Sequence, residues 1–327
     1  MLKHLFRPQR LLAGLCVALS AITATAATED FPSRPIILVS PYQAGGGADA
    51  LARTLAIAAG KELGQSVVVE AKPGAEGLVG SVDVKNAAPD GYRLLWGGAG
   101  SLMINAALRK NPPFDPVTAF TPIAGVVEFS FFLYVNPEVP AKDMKEFIAY
   151  VKANPGKVSY SVGSNQGRLS MLDLAQKYGL EMLEIKYRGE PAAAIDMFSN
   201  RVQAAFATAA QLPSAREGKL RVLATTLTRR SPLMPDVPTV AEAGTPMAEF
   251  GGGWLAIYGP PGMPKPVVDR LNQAFNKAFQ DPDVQAQMNT SGLIYTPHKS
   301  PQDLANFTRN QRDLYIKTIK ELGIPKE

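Results

Sequence analysis

Short apolar runs alternate along this chain with segments of helical spacing, and this alternation limits the fold more than any other feature. The run PIILVS at 35–40 is followed by a helical pattern at 48–63 and by the β-branched run SVVVE at 66–70. A glycine-rich turn then leads into a second helical pattern within 73–87, and the run YRLLWGG follows at 92–98. An order of strand, helix, strand, helix and strand predicts a parallel sheet covered by helices on both faces. Strands that are apolar along nearly their whole length fit that arrangement, because both of their faces are buried.

A second cycle of the same kind follows in the middle of the chain. A long strand is predicted within 120–137, where FTPIAGVVEFSFFLYVNP is apolar almost throughout, and a helix within 140–157. Further helices are predicted at 168–179 and 190–200, the latter with Pro191 in its first turn, where proline is favoured. The remaining strands of this cycle are predicted at 158–163, 182–187, 202–208 and 220–226. The sequence therefore predicts two α/β halves in series.

The last third of the chain adds one strand and two helices to this pattern. The strand is predicted within 251–264. Ser300 is the predicted N-cap of the final helix, with Pro301 at the first helical position and Asp303 in the first turn. His298 lies just before this helix, and we expect it to be a loop residue rather than a catalyst.

The first 26 residues are predicted to be a secretory signal peptide and not part of the fold. Lys3, Arg7 and Arg10 precede the apolar stretch LLAGLCVALSAI, and ATA at 24–26 is a small-x-small cleavage site. The apolar stretch is shorter than the ~20 residues that span a bilayer. We therefore expect export to the periplasm with cleavage near Ala26.

Removal of this segment changes the charge and the chemistry available to the mature chain. The formal net charge falls from +5 to +2, because the segment carries three basic residues and no acidic ones. The basic composition is therefore no sign of nucleic-acid binding. The only cysteine, Cys16, and one of the two histidines, His4, leave as well. We expect no disulfide, no thiolate catalysis, no Cys/His metal site and no cofactor.

Three consecutive glycines, Gly45, Gly46 and Gly47, stand between the first predicted strand and the first predicted helix. Such a turn lets the backbone approach a ligand and directs N–H groups outward at a helix N-terminus, where the helix dipole favours an anion. No Lys-Ser/Thr follows, as it would in a P-loop, and the G-x-G-x-x-G fingerprint is absent. The triplet alone leaves open whether the turn holds a ligand or only connects strand and helix.

A wider set of motifs bears on that choice. Eight segments occur in this order: FPSRPIILVSPYQAGGGADALAR, LGQSVVVEAKPGAEG, AAPDGYRLL, NPEVPAKDMKEFI, NPGKVSYSVGSNQG, EIKYRGEPAA, GKLRVLATTLTRRSPLMPDVPTVAEAG and PPGMPKPVVDRLN. Together they resemble the periplasmic solute receptors of the tripartite tricarboxylate transporters, often called Bug receptors. The resemblance covers essentially the whole mature chain.

The resemblance implies a type II periplasmic-binding-protein fold, in which two α/β domains are joined by crossing strands and the ligand lies in the cleft between them. The first domain would comprise 27–127 and 252–327, and the second 128–251. The discontinuity of the first domain is implied by the resemblance alone.

The resemblance also implies where a ligand would bind. In this family a ligand carboxylate is held by the glycine-rich loop, which is 42–49 here, partly through ordered water, and by the loop that faces it across the cleft, which is 161–167 here. The resemblance implies that the segments GGAGS at 97–101 and YRG at 187–189 also reach the cleft. Arg168 and Arg188 are candidates for a charge-assisted contact with a carboxylate, the alternative for each being a solvated surface charge. The predicted ligand-binding residues are Tyr42, Ala44, Gly45, Gly46, Gly47, Ala48, Asp49, Gly98, Ser101, Ser164, Asn165, Gln166, Arg168, Tyr187, Arg188 and Thr208.

Two departures from the family pattern bear on the ligand. Ala48 lacks the hydroxyl that the family often has after the glycines, and Ala207 stands where members that bind amino acids can carry an acidic side chain. The resemblance therefore favours a ligand without an ammonium group, such as a dicarboxylate, a tricarboxylate or an aromatic carboxylate.

The implied function is capture of this ligand by domain closure and delivery to the membrane permease of a tripartite tricarboxylate transporter. A receptor for a membrane sensor kinase is the alternative. A secreted hydrolase has less support, because the chain has no G-x-S-x-G nucleophile elbow. We expect a monomer that binds no nucleic acid.

Overall fold

A computed structural model describes residues 31–247, 253–297, 300–324 and 326. The predicted signal peptide and His298 lie outside these residues. The strands, numbered in chain order, are β1 (Ile36–Ser40), β2 (Val67–Ala71), β3 (Arg93–Gly98), β4 (Thr121–Phe129), β5 (Phe131–Val135), β6 (Ser159–Val162), β7 (Leu183–Lys186), β8 (Ala204–Thr208), β9 (Arg221–Thr225), β10 (Trp254–Gly259) and β11 (Leu293–Thr296).

The α-helices flank these strands, and Ser300 and Pro191 begin helices as predicted. The helices are α1 (Gly47–Leu63), α2 (Leu78–Lys85), α3 (Asn105–Leu108), α4 (Met144–Ala153), α5 (Asn165–Tyr178), α6 (Glu190–Phe198), α7 (Leu212–Arg216), α8 (Lys265–Ala278), α9 (Pro282–Ser291) and α10 (Pro301–Glu321). Short 3₁₀ turns lie at Ala75–Gly77 and Ala209–Gln211, and a π-helical segment at Ala99–Ile104.

The strands form two sheets, which confirms the predicted α/β class with two halves. The first sheet has the order β11-β4-β10-β3-β1-β2 and the second the order β7-β6-β8-β5-β9. As predicted, β1 is parallel to β2 and β3. The sheet as a whole is mixed, however, since β10 is antiparallel to both β3 and β4. The parallel arrangement was predicted for the first three strands, where it is confirmed, and β10 makes the sheet mixed because it follows β9 of the second sheet in chain order and not a helix of a βα crossover.

The single long strand predicted within 120–137 is two strands that belong to different sheets. Phe129 at the end of β4 pairs with Leu293 in the first sheet, whereas Phe131 at the start of β5 pairs with Thr208 in the second. Ser130 links them, buried, and its hydroxyl donates to the carbonyl of Gly292 at 2.9 Å. The chain thus crosses between the sheets at Ser130, close to the predicted domain boundary, while the domain division itself stays a prediction.

Each sheet is packed on both faces, which explains the unbroken apolar runs. In β3, Leu94 and Trp96 pack with α1 and α8, whereas Leu95 lies in the core on the opposite face. In β5, Leu133 packs towards α4 and α5, and Phe132 packs on the other face with residues of α6 and α7. Because successive side chains of a strand point to opposite faces, one short run supplies two cores. Below, the first sheet with its helices is called the first layer, and the second sheet with its helices the second layer.

Candidate functional site

A cavity of about 150 Å³ lies between the two layers. The first layer supplies its wall through the turn at 75–77 and through α3, and the second through the ends of β6 and β7 and the start of α5. The lining residues are Glu76, Asn105, Leu108, Arg109, Val162, Asn165, Arg168, Lys186 and Tyr187. Three of them, Asn165, Arg168 and Tyr187, belong to the predicted site.

The glycine-rich loop begins α1, and Asp49 in the first turn of that helix supports it. The buried Asp49 carboxylate accepts the N–H of Gly45 at 3.0 Å and the guanidinium of Arg53 at 2.9 and 3.1 Å. Burial acts to raise the pKa of Asp49, but these hydrogen bonds hold it below its usual value. Asp49 therefore acts on its own loop, where it fixes Gly45 in a left-handed conformation with φ of 85°.

The glycines themselves differ in what surrounds them. A Cβ added at Gly47 would meet no atom of the chain within 4 Å, and one at Gly46 would meet only the carbonyl of Gln43, at 3.7 Å. Ala44 and the three glycines are exposed, whereas Ala48 is partly buried and its carbonyl accepts the indole N–H of Trp96 at 3.1 Å. Packing within the chain therefore gives no reason for glycine at 46 and 47.

Three further predicted residues, Tyr42, Gly98 and Ser101, meet beneath this loop. Burial raises the pKa of Tyr42 to about 12, although a hydrogen bond with Ser101 acts in the opposite direction. Ser101 is fully buried and its hydroxyl accepts the N–H of Gly98 at 3.1 Å. Gly98 also has a packing role, because a Cβ there would overlap the carbonyl oxygen of Trp254 on β10. Gly77 packs against Ser101 and so connects this cluster to the wall of the cavity.

The facing loop at the start of α5 connects the layers. The Ser164 hydroxyl caps the helix by accepting the N–H of Gly167 at 3.2 Å. The buried side chain of Gln166 accepts the Tyr315 hydroxyl of α10 at 2.8 Å, so it bridges to the first layer. The Asn165 amide donates across the cavity to the carboxylate of Glu76. Two of the predicted residues therefore contact the opposite layer directly.

Arg168 lines the cavity but already has an anionic partner. Its guanidinium donates to the Glu184 carboxylate at 2.9 and 3.0 Å, and the Tyr160 hydroxyl donates to the same carboxylate at 2.8 Å. Burial acts to raise the pKa of Glu184, but these bonds hold it below its usual value. Much of the positive charge of Arg168 is thus neutralised within the second layer.

The structure places Tyr187 and Arg188 differently. The Tyr187 ring lines the cavity, and its hydroxyl donates to Asp196 at 2.8 Å. The Arg188 side chain is exposed and is not among the residues that line the cavity. Its predicted contact with a ligand has no counterpart in this arrangement and stays a prediction.

Sequence reasoning missed Glu190, whose carboxylate engages two predicted donors. Thr208 donates to it through its N–H at 3.1 Å and its hydroxyl at 2.6 Å, and Ser164 donates its hydroxyl at 3.5 Å. Burial raises the pKa of Glu190, although these hydrogen bonds act in the opposite direction. A carboxylate directly after the predicted cleft motif YRG was the available signal. Ser164 and Thr208, which were predicted to bind a ligand, thus donate hydrogen bonds to the carboxylate of Glu190 in the chain itself.

The second missed feature is the turn at 74–77, in which four consecutive residues have positive φ. Gly74 and Gly77 adopt φ of 128° and 93°, and between them Ala75 and Glu76 adopt 43° and 60°. The buried Asn105 amide holds the turn by donating to the carbonyls of Ala75 and Glu76 at 3.4 and 3.0 Å. Positive φ is costly for residues other than glycine and occurs at sites where the surrounding structure maintains it. The turn aims Glu76 at the opposite layer.

The third missed residue is Arg109, directly after α3. Its Nε atom is buried and has no hydrogen-bond partner among the described residues.

Among all the residues that the structure describes, no group of three His, Cys, Asp or Glu side chains is arranged to hold a metal ion. None of the described helices combines the length and apolarity needed to cross a membrane.

Two α/β layers that are linked by crossing chain segments and enclose a polar cavity define a two-lobed binding protein, the class that closes over a small ligand. The family model described as the tripartite tricarboxylate transporter family receptor matches residues 51–324. The chain belongs to this family and is a periplasmic solute-binding protein of the Bug type, as the resemblance implied.

Known relatives agree with this assignment. A Cupriavidus necator protein described as the UPF0065 protein in the gbd 5' region is 36% identical over 316 residues, covering 96% of this chain and 95% of that protein. The periplasmic binding protein BugD is similar with a TM-score of 0.80 at 32% identity, covering 91% of this chain and all of that chain. This similarity confirms the predicted periplasmic-binding-protein fold.

Two similar structures contain ligands. MatC from Rhodopseudomonas palustris, solved with bound malate, has a TM-score of 0.78 at 28% identity and covers 88% of this chain and 100% of its own. A second R. palustris protein, solved with adipate, has a TM-score of 0.81 at 27% identity and covers 90% of this chain and 99% of its own. Both ligands are small dicarboxylates.

Proposed function

We propose that this protein captures a small organic carboxylate in the cleft between its two layers and delivers it to the membrane subunits of a tripartite tricarboxylate-type transporter. The observation that carries the proposal is the cavity, which is lined by cationic side chains from both layers: Arg109 from the first, and Arg168 and Lys186 from the second. A ligand anion held between them gains contacts to both layers at once. The malate and adipate complexes of similar proteins support the ligand class.

The mechanism is closure of one layer on the other. The contact of Glu76 with Asn165 and the hydrogen bond of Tyr315 to Gln166 join the layers in the closed arrangement. A third bond runs from the Gln176 amide to the carbonyl of Glu321 at 3.1 Å. A ligand that contacts both layers binds the closed state more tightly than the open state and so shifts the population towards closure.

The glycine-rich loop is proposed to contribute to the same site. Its residues lie beside the cluster of Tyr42 and Ser101, which adjoins the cavity wall at Gly77. The first N–H groups of a helix have no partner within the helix, so the start of α1 offers donors to an anion. We retain the predicted contacts of Gly46, Gly47 and Ala48 as part of the proposal.

A thermal-shift screen of residues 27–327 with malate, adipate, citrate, benzoate and inorganic phosphate, followed by calorimetry on each hit, tests the proposal. A ligand at about 100 times its Kd adds ~2.7 kcal/mol of stability and raises Tm by roughly 4–5 °C for a protein of this length. Stabilisation by at least one carboxylate is expected. Stabilisation by phosphate alone, or by none of these compounds, would contradict the proposed ligand class.

Three finer expectations belong to this proposal. Cleavage near Ala26 predicts an N-terminus at residue 27 in the exported protein, which protein sequencing measures. A monomer is expected in light scattering with and without ligand. Recognition by a sensor kinase is the alternative to transport, and co-purification of the loaded protein with detergent-solubilised permease subunits separates the two.

A further inference from the structure

The carboxylate of Glu190 in the second layer is held, within the described part of the chain, by neutral donors. Glu190 is the first residue of α6, and it accepts the N–H and the hydroxyl of Thr208 at 3.1 and 2.6 Å and the hydroxyl of Ser164 at 3.5 Å. It forms no ion pair with any residue that the structure describes. Because burial raises the pKa of Glu190 and no cation opposes this effect, the carboxylate is easier to protonate than one in an ion pair.

The charged and titratable groups on the neighbouring elements leave this carboxylate unpaired. Tyr134 of β5 is the titratable group that faces it. The Tyr134 hydroxyl donates to the carbonyl of Thr208 at 2.9 Å, and burial together with the charge of Glu190 raises the pKa of Tyr134, so this side chain stays neutral. The charged residues on the adjacent segments are bound to one another or exposed to solvent: Arg168 and Lys186 with Glu184, Asp196 with Arg201, and Arg188.

A second cavity, of about 10 Å³, adjoins Glu190 in the second layer, and Ser161 and Gln211 also line it. The Ser161 hydroxyl is buried and has no hydrogen-bond partner among the described residues. A cavity of this size has room for about one water molecule. A water there would accept a hydrogen bond from a protonated Glu190 and would pair with Ser161. The folded protein can therefore accommodate Glu190 in its neutral form.

The start of α5 connects Glu190 to the cavity between the layers. Ser164 caps this helix, and the next residue, Asn165, lines that cavity. A Cβ added at Gly163 would lie 2.8 Å from the backbone N and Cα of Glu190, so the starts of α5 and α6 are in direct contact. A ligand carboxylate held by the start of α5 would bring a second negative charge close to Glu190. Two carboxylates that share a site favour protonation of one of them.

The hydroxyl hydrogens of Ser164 and Thr208 give a second reason for the same coupling. Each hydroxyl has a single hydrogen to donate, and both hydrogens are directed to Glu190. A ligand carboxylate can accept them only if Glu190 releases them. A protonated Glu190 releases them more easily, because a hydrogen bond to an ionised group is about twice as strong as one between neutral groups. Protonation of Glu190 and capture of an anionic ligand should therefore favour each other.

We propose that Glu190 is a positioning residue that couples ligand capture to the uptake of a proton. The ligand carboxylate accepts the hydroxyl hydrogens of Ser164 and Thr208, and a proton from solvent binds the Glu190 carboxylate. Release of the ligand returns the proton to solvent and the hydrogen bonds to Glu190. This inference rests on the proposed function and adds a regulation by pH to the same site. The affinity should fall as pH rises above the pKa of Glu190 in the free protein, by at most about 10-fold per pH unit for one proton.

Calorimetric titration of unmodified residues 27–327 with malate, adipate, citrate and benzoate tests the coupling. Each titration is run over a series of pH values in two buffers that differ in their enthalpy of ionisation. The difference in binding enthalpy between the two buffers gives the number of protons taken up per ligand. A net uptake of up to about one proton, with weaker binding towards higher pH, is expected for each carboxylate that binds.

Charge-removing variants assign the proton to Glu190. Glu190→Gln keeps the shape and stays neutral at every pH, since its amide oxygen can accept from Thr208 and its amide nitrogen can donate to Ser164. This variant is expected to lose the proton uptake and, at the highest pH of the series, to bind the ligand more tightly than the unmodified protein does. Glu181→Gln removes the same charge at an exposed position that lines neither cavity, and it should keep both the uptake and the affinity.

Binding of a carboxylate without proton uptake at any pH, or with the same uptake in Glu190→Gln, would overturn this inference and leave the proposed function standing. No binding by any of the four compounds would contradict both. Thermal unfolding without ligand shows whether Glu190→Gln folds. If it does not fold, the infrared difference spectrum between ligand-bound and free unmodified protein decides instead. A protonated carboxyl band gained on binding would support the inference, and its absence would overturn it.

Discussion

Alanine substitutions at Gly98 and Gly47 should have opposite effects on stability, although both glycines belong to the predicted binding site. At Gly98 a Cβ would overlap the Trp254 carbonyl oxygen and lie 2.7 Å from its carbon and 2.9 Å from the Cα of Leu255. All three are backbone atoms of β10, so no side-chain rotamer relieves the overlap. Overpacking costs about 1–3 kcal/mol, and a backbone clash lies at the upper end or beyond, so Gly98→Ala should lower the free energy of unfolding by about 3 kcal/mol.

Gly47→Ala is the matched control. An added Cβ meets nothing within 4 Å, and Gly47 is the first residue of α1. Alanine exceeds glycine by up to ~1 kcal/mol in helix propensity, so this variant should be unchanged or more stable by about 0.5 kcal/mol. The two variants should therefore differ by about 3–4 kcal/mol in the free energy of unfolding.

Equilibrium unfolding in denaturant, followed by tryptophan fluorescence, measures this difference. The chain has two tryptophans, Trp96 and Trp254, and both are buried in the first sheet, so the signal reports on the layer that contains Gly98. A Gly98→Ala variant within 1 kcal/mol of the unmodified protein would refute the argument from close strand approach.

The same control variant also tests the glycine-rich loop as a ligand contact. A Cβ at Gly47 would meet no atom of the chain. If a fully stable Gly47→Ala variant binds a carboxylate from the thermal-shift screen more weakly, the added methyl group must therefore interfere with the ligand. Unchanged affinity would remove Gly47 from the site.

Three further predictions concern stability, and equilibrium unfolding measures each of them. Burial raises the pKa of Glu190 above its unfolded value, so the folded state binds the proton more tightly and stability should fall as pH rises through the folded pKa. Glu190→Gln should lose this pH-dependent fall in stability, and an unchanged fall would exclude Glu190 as its source. The pKa of Asp49 is lowered, so its contribution to the free energy of unfolding is present above the unfolded pKa and lost as pH falls through the folded pKa. Asp49→Asn should cost about 1 kcal/mol at neutral pH, since Arg53 is half exposed. No cost would contradict the conclusion that Asp49 supports the glycine-rich loop. Ser300→Ala should cost about 1 kcal/mol by removing the N-cap of α10, whereas Ser300→Asp should cost little.

Short strands and helix caps were predicted well, because each depends on residues that are close together in the chain. The run at 35–40 became β1, and the strands predicted at 158–163 and 182–187 became β6 and β7 with ends shifted by a residue or so. Ser300 caps its helix as predicted, because a cap depends on a hydroxyl and an N–H three residues apart.

Other features were missed because they depend on long-range pairing. The run at 120–137 is uniformly apolar, so nothing in it indicated that Ser130 separates strands of two different sheets. The strand β11 was not predicted, because Leu293–Thr296 is short and gains its stability by pairing with β4. Apolar spacing records which faces are buried but not which strand lies beside them.

The candidate site divides in the same way. The glycine-rich loop and the start of α5 were recognisable as motifs, because each is a continuous stretch of chain. Glu76 and Arg109 were not, since each is an ordinary charged residue until the fold brings α3, the turn at 75–77 and α5 around one cavity.

The sequence by itself determined the alternation of strands and helices over most of the chain, the cap of the last helix, the family and the export signal that we predict. These depend on residues close together in the chain or on ordered motifs. Only the tertiary structure decided where the chain crosses between sheets, that Glu190 engages donors expected for a ligand, and which charged side chains line the cavity. Charge pairing depends on distances between side chains far apart in sequence, and these distances exist only once the two layers have packed.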